Sequence, residues 1–367
     1  RMEQKAYLVL QDGTVMEGIS FGASGDVCGE IVFTTGMTGY LETLTDPSYH
    51  GQIVVQTFPL IGNYGVIPAD FESTRPQVRA YVVRQWCQEP SNFRSEGDLD
   101  AYLKEQGIVG LWGIDTRQLT KRIRQNGVMN GKIVREIRDL PALLDEIRSY
   151  RIQGAVEAVT RQSPRPDTPE EPRRRVVLWD FGAKENIRRE LLKRGCEVLT
   201  MPASSTAEQI ASLKPDGIML SNGPGDPADN QGIIEQLALL CQKRIPTFGI
   251  CLGHQLLALS QGGRTHKLKY GHRGANQPVR DLGTGRVYIT SQNHGYAVDG
   301  SQLPPNAKVS MVNANDLTCE GIEYTDMPVF SVQFHPEACG GPLDTAFLFD
   351  QFMERMEVDR SCRGTLG

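Results

Sequence analysis

The chain has no long apolar run, no excess of positive charge and no paired-cysteine spacing, and each absence removes a class of function. No stretch reaches the roughly 18–20 consecutive apolar residues that cross a bilayer, so no membrane role is expected. Arg1-Met2-Glu3-Gln4-Lys5 leads into a short strand-like segment without an extended apolar core, so no secretory signal is expected either. With 39 Lys+Arg against 44 Asp+Glu the net charge is −5, which leaves no electrostatic case for a nucleic-acid partner or an anionic surface. The eight cysteines (Cys28, Cys87, Cys196, Cys241, Cys251, Cys319, Cys339 and Cys362) include no C-x-x-C pair, so no structural zinc site or redox dithiol is indicated. At this density they read as free thiols of a reducing compartment, and the cytoplasm is the expected location. Neither a G-x-x-x-x-G-K-[ST] loop nor a strand-linked G-x-G-x-x-G occurs, so no nucleotide is expected on this chain. Asp180-Phe181-Gly182 matches the kinase magnesium motif but has no companion Gly-rich or H-R-D loop. His50, His254, His266, His272 and His294 lack metal-ligand spacing, and His254 reads as a packing or loop residue.

What is present implies two domains, the sensible division for 367 residues. Residues 1–155 are strand-rich: Ala6–Leu10, Thr14–Ser20, Glu30–Thr35, Ile53–Thr57 and Val78–Gln88 are short apolar and β-branched runs between turn residues. Asp12-Gly13 and Asn126-Gly127 are candidate hairpin turns. Helical periodicity at Leu99–Gln106, Arg117–Arg124 and Leu140–Ser149 makes this an α+β domain. Residues 156–173 hold four prolines among charged and small polar residues and read as a linker, followed by a solvated Arg173-Arg174-Arg175 run. From 174 to 367 the grammar changes. Val176–Trp179, Glu197–Met201, Gly217–Ser221 and Thr247–Ile250 are nearly continuous apolar strands, with helical stretches at Lys184–Arg194, Ala207–Leu213 and Ile233–Gln242. Such alternation predicts βαβ units and an open, mostly parallel sheet covered by helices on both faces. Tyr288–Ser291, Val309–Asn313, Gly321–Tyr324 and Val329–Phe334 extend it as a mixed region.

Cys251 ends one of these strands inside Gly249-x-Cys251-x-Gly253 and opens the apolar stretch Leu252–Leu259. That is a cysteine version of the sharp strand-to-helix turn that exposes a hydrolase nucleophile. Flanking glycines relieve its crowding, and the amides of the following helix favour thiolate over thiol. His335-Pro336-Glu337 follows another strand, so an imidazole and an orienting carboxylate arrive at a strand end, where open α/β sheets assemble their sites. Ser221-Asn222-Gly223-Pro224-Gly225-Asp226-Pro227 ends a third strand and can offer a backbone N–H beside that of Leu252 to an oxyanion. Taken singly, each has a plainer reading: an inert buried cysteine, a surface His and Glu on a loop, a tight turn.

Taken together, in this order, Gly249–Gly253, His335-Pro336-Glu337 and Ser221–Pro227 resemble the class I, triad-type glutamine amidotransferases over about the last 190 residues. The resemblance widens with Thr34–Tyr49, Phe58-Pro59-Leu60-Ile61-Gly62-Asn63-Tyr64-Gly65, Asp180–Ile187 and Gly271–Val279, which are similar to the small subunits of carbamoyl-phosphate synthetases. The family implies glutamine hydrolysis, with Cys251 as nucleophile, His335 as proton shuttle and Glu337 as its orienter. It carries glutamine contacts to Ser48, Gly223, Gly225, Leu252, Gln255, Asn293, Gly295 and Tyr296, Ser48 reaching from the N-terminal domain. Tyr296 stands where an aromatic without a hydroxyl is familiar, and Gln277 where histidine is common. The implied partner is a large subunit, in a heterodimer, that takes ammonia through an enclosed path. It uses bicarbonate, ATP and Mg to make carbamoyl phosphate for arginine and pyrimidine synthesis. No cofactor is implied on this chain, and its glutaminase activity is expected to be slow until the large subunit is bound. The competing readings are a glutaminase component of another synthetase (anthranilate, guanylate or cytidylate), a non-catalytic regulatory subunit on the same fold, and a cysteine peptidase. The N-terminal 150 residues weigh against the first, the extra N-terminal domain against the last, and the intact Cys251, His335 and Glu337 against the second.

Overall fold

The computed structural model describes residues 4–339 and 341–364. The chain forms two compact units, Arg1–Ala155 and Val156–Gly367.

The first unit is built on a closed seven-stranded barrel. Lys5–Leu10 (β1) and Val15–Gly22 (β2) form an antiparallel hairpin turned at Asp12-Gly13, as the sequence predicts. Val27–Thr34 (β3), Tyr40–Thr45 (α1) and Gln52–Gln56 (β4) follow, with β3 and β4 parallel. The run Val78–Gln88, expected as one strand, is divided. Ala80–Val82 (β6) enters the barrel, whereas Gln85–Trp86 (β7) leaves it to pair with Leu60–Ile61 (β5). Leu99–Glu105 (α2), Val109–Trp112 (β8), Thr116–Asn126 (α3), Met129–Val134 (β9) and Leu140–Ser149 (α4) complete the unit, and β9 closes the barrel between β3 and β1. Asn126-Gly127 is not a hairpin turn. Gly127, at φ 90°, caps α3 by donating its N–H to Ile123 O, a left-handed helix stop that a side chain would strain. The barrel strands carry Leu8, Ile31, Val32, Val54, Tyr81 and Leu111, all fully buried. Each such side chain contributes about 1.5–3 kcal/mol by leaving water.

The second unit is a ten-stranded sheet between helices. The segment 156–173, expected as linker, contributes the end of Ala155–Val159 (α5) and an edge strand, Arg165–Asp167 (β10). Pro166 is tolerated there because β10 pairs on one side only, antiparallel to Cys196–Pro202 (β12). The centre is parallel: β12, Arg174–Asp180 (β11), Gly217–Leu220 (β13), Thr247–Ile250 (β14) and Val329–Val332 (β19) lie side by side. Glu185–Lys193 (α6), Ala207–Ser212 (α7), Gln231–Cys241 (α8) and Leu252–Ser260 (α9) make the crossovers. The sheet then turns antiparallel through Thr265–Asp281 (β15), Val287–Val298 (β16), Ala307–Asn313 (β17) and Cys319–Tyr324 (β18). Phe347–Gly364 (α10) ends the described chain.

Both faces of the parallel centre are buried, which is why its strands read as continuous apolar runs. Along β11, Val177 and Trp179 pack with Ile210, Leu237 and Leu256 from α7, α8 and α9, while Val176 and Leu178 pack with Ile187 of α6 and Phe352 of α10. On the second face Phe248 stacks on Phe330 at 4.4 Å between ring centroids, with Phe349 edge-on at 5.7 Å.

Candidate active site

The site is assembled by strand ends. Register pairs Ile250 of β14 with Val332 of β19, and Leu220 of β13 with Gly249. Three parallel strands in that alignment deliver Cys251, His335 and the Ser221–Pro227 loop to one edge of the sheet. Cys251 is 84 positions before His335 in the chain.

Cys251 sits at φ 52°, ψ −105°, a left-handed conformation that costs a non-glycine residue about 1–3 kcal/mol. The surroundings hold it there: its N–H donates to Val332 O at 2.9 Å, and its carbonyl accepts from Gln255 at 3.1 Å in α9. The flanking glycines are required by close approach. A Cβ on Gly253 would lie 2.5 Å from Leu220 O, and one on Gly249 would lie 3.0 Å from the Gly253 backbone. Gly223 is equally constrained, since its Cβ would meet Phe181 O at 2.3 Å. The loops are tied by Ser221 Oγ, which accepts from Phe181 N–H at 2.9 Å, and by Asn222 Oδ1, which accepts from Lys184 N–H at 3.1 Å. Asp180 Oδ1 accepts from the amides of Gly182 and Ala183. The kinase-like triplet is thus a loop clamp.

The two remaining members of the expected triad are in contact. His335 Nδ1 lies 2.6 Å from Glu337 Oε1, and both side chains are essentially sealed from solvent. The other ring nitrogen, Nε2, is buried and has no hydrogen-bond partner. The Cys251 sulfur is close enough to act on the ring electrostatically. Burial, and then Lys184, oppose a charged imidazole. The Glu337 carboxylate and the Cys251 sulfur outweigh them and hold the His335 pKa above its ordinary value. Burial likewise opposes the Glu337 carboxylate, but the His335 and Lys184 cations overcome it and hold its pKa well below the usual range. The arrangement therefore favours an imidazolium held by a carboxylate beside the Cys251 sulfur, which places a proton donor next to the nucleophile.

Two partners of Glu337 were not singled out by the sequence. Lys184 Nζ lies 3.5 Å from Glu337 Oε1, and the Asn186 side chain donates to the Glu337 carbonyl. Both belong to the Asp180–Ile187 stretch that carried part of the resemblance, but no local pattern ties a loop lysine to an acid 153 residues on.

Of the expected glutamine contacts, Asn293 lies at the sulfur and others lie close to one another. Asn293 O is 3.6 Å from Cys251 Sγ. Gln255 Nε2 donates to Tyr296 O at 2.8 Å and to Gln333 Oε1 at 3.0 Å. Gly295, between Asn293 and Tyr296 on β16, has Arg273 Nη2 3.2 Å from where a Cβ would stand. Leu252 follows the nucleophile and packs toward Gly223, while Gly225 takes φ 86° in the same loop as Gly223. Ser48 lies in the N-terminal unit, in the 3-10 turn Pro47–Tyr49, where its N–H donates to Asp46 Oδ1 at 3.0 Å.

The histidine of α9 is structural. His254 Nδ1 is 2.7 Å from Ser331 Oγ, and complete burial lowers its pKa to about 3, so the ring is neutral. Burial also pushes the thiols of Cys196, Cys241 and Cys319 up, to about 11, 12 and 12, which makes them poor nucleophiles. No disulfide joins the described cysteines; the side chain of Cys362 lies outside the described residues. No described helix is long and apolar enough to cross a membrane.

Comparison with known proteins matches both units. Residues 8–133 match the family described as carbamoyl-phosphate synthase small chain, CPSase domain, and residues 177–355 match glutamine amidotransferase class-I. The carbamoyl phosphate synthase small chain of Symbiobacterium thermophilum is 49% identical over 368 residues, covering 97% of this chain and 99% of that one. The protein of the same description from Bacillus cereus is 51% identical over 356 residues and covers 96% of each chain. That from Clostridium perfringens is 49% identical over 350 residues, covering 95% of this chain and 99% of its own length. With both halves matched and relatives aligned along nearly their whole length, the chain belongs to the carbamoyl-phosphate synthase small chain family.

Proposed function

We propose that this chain is the glutamine-hydrolysing subunit of a carbamoyl-phosphate synthase, with Cys251, His335 and Glu337 as its catalytic residues. The observation that carries the reading is the strained Cys251 turn beside a buried histidine that feels its sulfur and whose Nδ1 is held by a buried carboxylate. The Cys251 thiolate attacks the side-chain amide carbon of glutamine. The resulting oxyanion is met by the Leu252 N–H and an N–H of the Gly223–Gly225 loop. His335 gives its proton to the amide nitrogen, the C–N bond breaks, and ammonia leaves a thioester on Cys251. His335, now neutral, takes a proton from water, whose oxygen attacks the thioester and releases glutamate and the thiolate. Glu337 holds the imidazole in the required tautomer, and Lys184 keeps Glu337 ionised. Gln255, Asn293, Gly295 and Tyr296 with Gly223, Gly225 and Leu252 hold the substrate.

The ammonia passes to a large subunit that uses ATP and bicarbonate to make carbamoyl phosphate, the precursor drawn on by arginine and pyrimidine synthesis in the cytoplasm. Enclosing it keeps it from being protonated by water, where it would lose its nucleophilicity. The test is ammonia release from glutamine by the chain alone and with a large subunit, for the parent and Cys251→Ser. The variant is expected to lose glutamine-dependent carbamoyl phosphate synthesis and to keep synthesis from added ammonia. Loss of both would make Cys251 structural, and retention of both would remove it from the chemistry.

A further inference from the structure

Behind the pocket strand β16 lies a second histidine cluster that the reaction above does not use. His272 of β15 and His294 of β16 stand directly opposite one another in the antiparallel ladder, just after a register shift between Lys267 and His272. Both are buried, as is Glu320 of β18. His272 Nδ1 is 3.1 Å from His294 Nε2 and 3.5 Å from Glu320 Oε1. His272 Nε2 is 2.7 Å from Asp316 Oδ2, and His294 Nδ1 is 2.7 Å from Tyr296 O.

Proton counting on these contacts has a definite outcome. A backbone carbonyl and a carboxylate can only accept, so His294 Nδ1 and His272 Nε2 must both carry hydrogens. Two neutral rings would then turn bare lone pairs on each other across 3.1 Å. The neighbouring atoms worsen this: Glu320 Oε1 is an acceptor, and so is Gln292 Oε1, 2.8 Å from His294 Nε2. Gln292 cannot turn its amide around without losing the bonds its Nε2 donates to Glu320 Oε2 at 3.0 Å and Thr290 Oγ1 at 3.1 Å. These four buried acceptors need one more proton. Burial holds the Glu320 carboxyl above its ordinary value, so the proton has two places to go. The ring nitrogens at 3.1 Å are a closer fit for it than Glu320 Oε1 at 3.5 Å, which Asn313 already serves.

We propose that His272 and His294 share a third proton between Nδ1 and Nε2, so that the pair is one buried imidazolium that positions the glutamine-binding strand. It rests on the function proposed above, and it assigns the pair a positioning role. The link to the pocket is short. His294 is flanked by Asn293 and Gly295, and the Tyr296 carbonyl that takes its Nδ1–H also accepts from Gln255. Glu320, held by Gln292 and Asn313, supplies the buried counter-charge, and Asp316 adds a half-exposed one. Burial first, then His272 itself, and then Arg273 on β15 and His335 beyond β19 hold His294 well toward its neutral form. Glu320 and Asp316 overcome burial at His272, so the shared charge is centred on His272. The same two histidines and Glu320 have their ligand atoms within 4.8 Å of one another, so a divalent metal ion is the rival occupant.

Removing the bridging proton leaves two lone pairs in contact and drives β16 from its place, so glutamine affinity falls as pH rises through the titration of the pair. The experiment measures KM and kcat for glutamine against pH in the assembled complex, for the parent and Glu320→Gln. The parent is expected to show KM rising severalfold at alkaline pH with a smaller change in kcat. Without the carboxylate, that rise should move to lower pH by about one unit or more. A Glu320→Gln profile superimposed on the parent's would overturn the proposal. If that variant fails to fold, histidine 15N spectra of the parent at neutral pH decide: three protonated nitrogens in the pair support the bridge, and two refute it. Stoichiometric zinc in the purified chain, lost on Glu320→Gln, would replace the proton with a metal and also refute it. Absence of ammonia release by the parent at any pH would instead strike the glutaminase reading, which the spectra do not depend on.

Discussion

Replacing Glu337 by glutamine keeps the shape of the side chain and deletes one charge from a sealed pair, so it isolates what the carboxylate does. Its oxygen is 2.6 Å from His335 Nδ1 and 3.5 Å from Lys184 Nζ, and the two acid–base partners are 0% and 1% exposed. With the carboxylate gone, burial and Lys184 press His335 toward its neutral form, with only the Cys251 sulfur left to oppose them. Breaking a buried pair on one side costs about 3–5 kcal/mol. If most of that falls on the transition state, kcat/KM for glutamine drops by about two to four orders of magnitude. The assay is ammonia release from glutamine by the assembled complex, with carbamoyl phosphate synthesis from added ammonia on the same sample as the control for folding. The first should fall by that margin while the second persists. A kcat/KM within about threefold of the parent, less than 1 kcal/mol, would refute the role given to Glu337.

Two further outcomes follow from the same geometry. The His335 imidazolium should titrate above the ordinary histidine value near 6.5, followed by its ring resonances in NMR, and a midpoint at or below 6.5 would contradict the pairing. Because the folded-state pKa is the higher one, the stability this group contributes is complete below about 6.5 and is lost as pH rises through the folded value. At position 251, glycine should be more stable than alanine by about 1–3 kcal/mol, since only alanine retains the strain of φ 52°. Thermal melts of Cys251→Gly and Cys251→Ala measure this, and equal midpoints would mean the turn relaxes without strain.

Much of the second unit was legible because its strands are apolar on both faces. Thr247–Ile250 needed no correction, and the other parallel strands moved by at most two residues at either end. The 17-residue β15 was not read as a strand at all. It is polar and half-exposed, interrupted by bulges and by Pro278, and its order comes from pairing with β16 and β17. In the first unit β8, β9 and α1 were passed over for a similar reason: Val-Gly-Leu-Trp and Met-Asn-Gly-Lys-Ile-Val are too short and too glycine-broken to stand out locally. Asn126-Gly127 shows the opposite error, since one dipeptide serves a hairpin or a helix stop and only the helix before it decides.

The chain by itself determined the nucleophile turn and the apolar strand runs, because both depend on neighbours a few residues apart: glycines beside Cys251, and side chains packing on two faces of a strand. Tertiary structure alone decided that the His335 ring comes within reach of that cysteine, that Lys184 reaches Glu337, and that His272 meets His294. Those contacts depend on strand order and register, which are set by how the whole sheet packs and are written in no single segment.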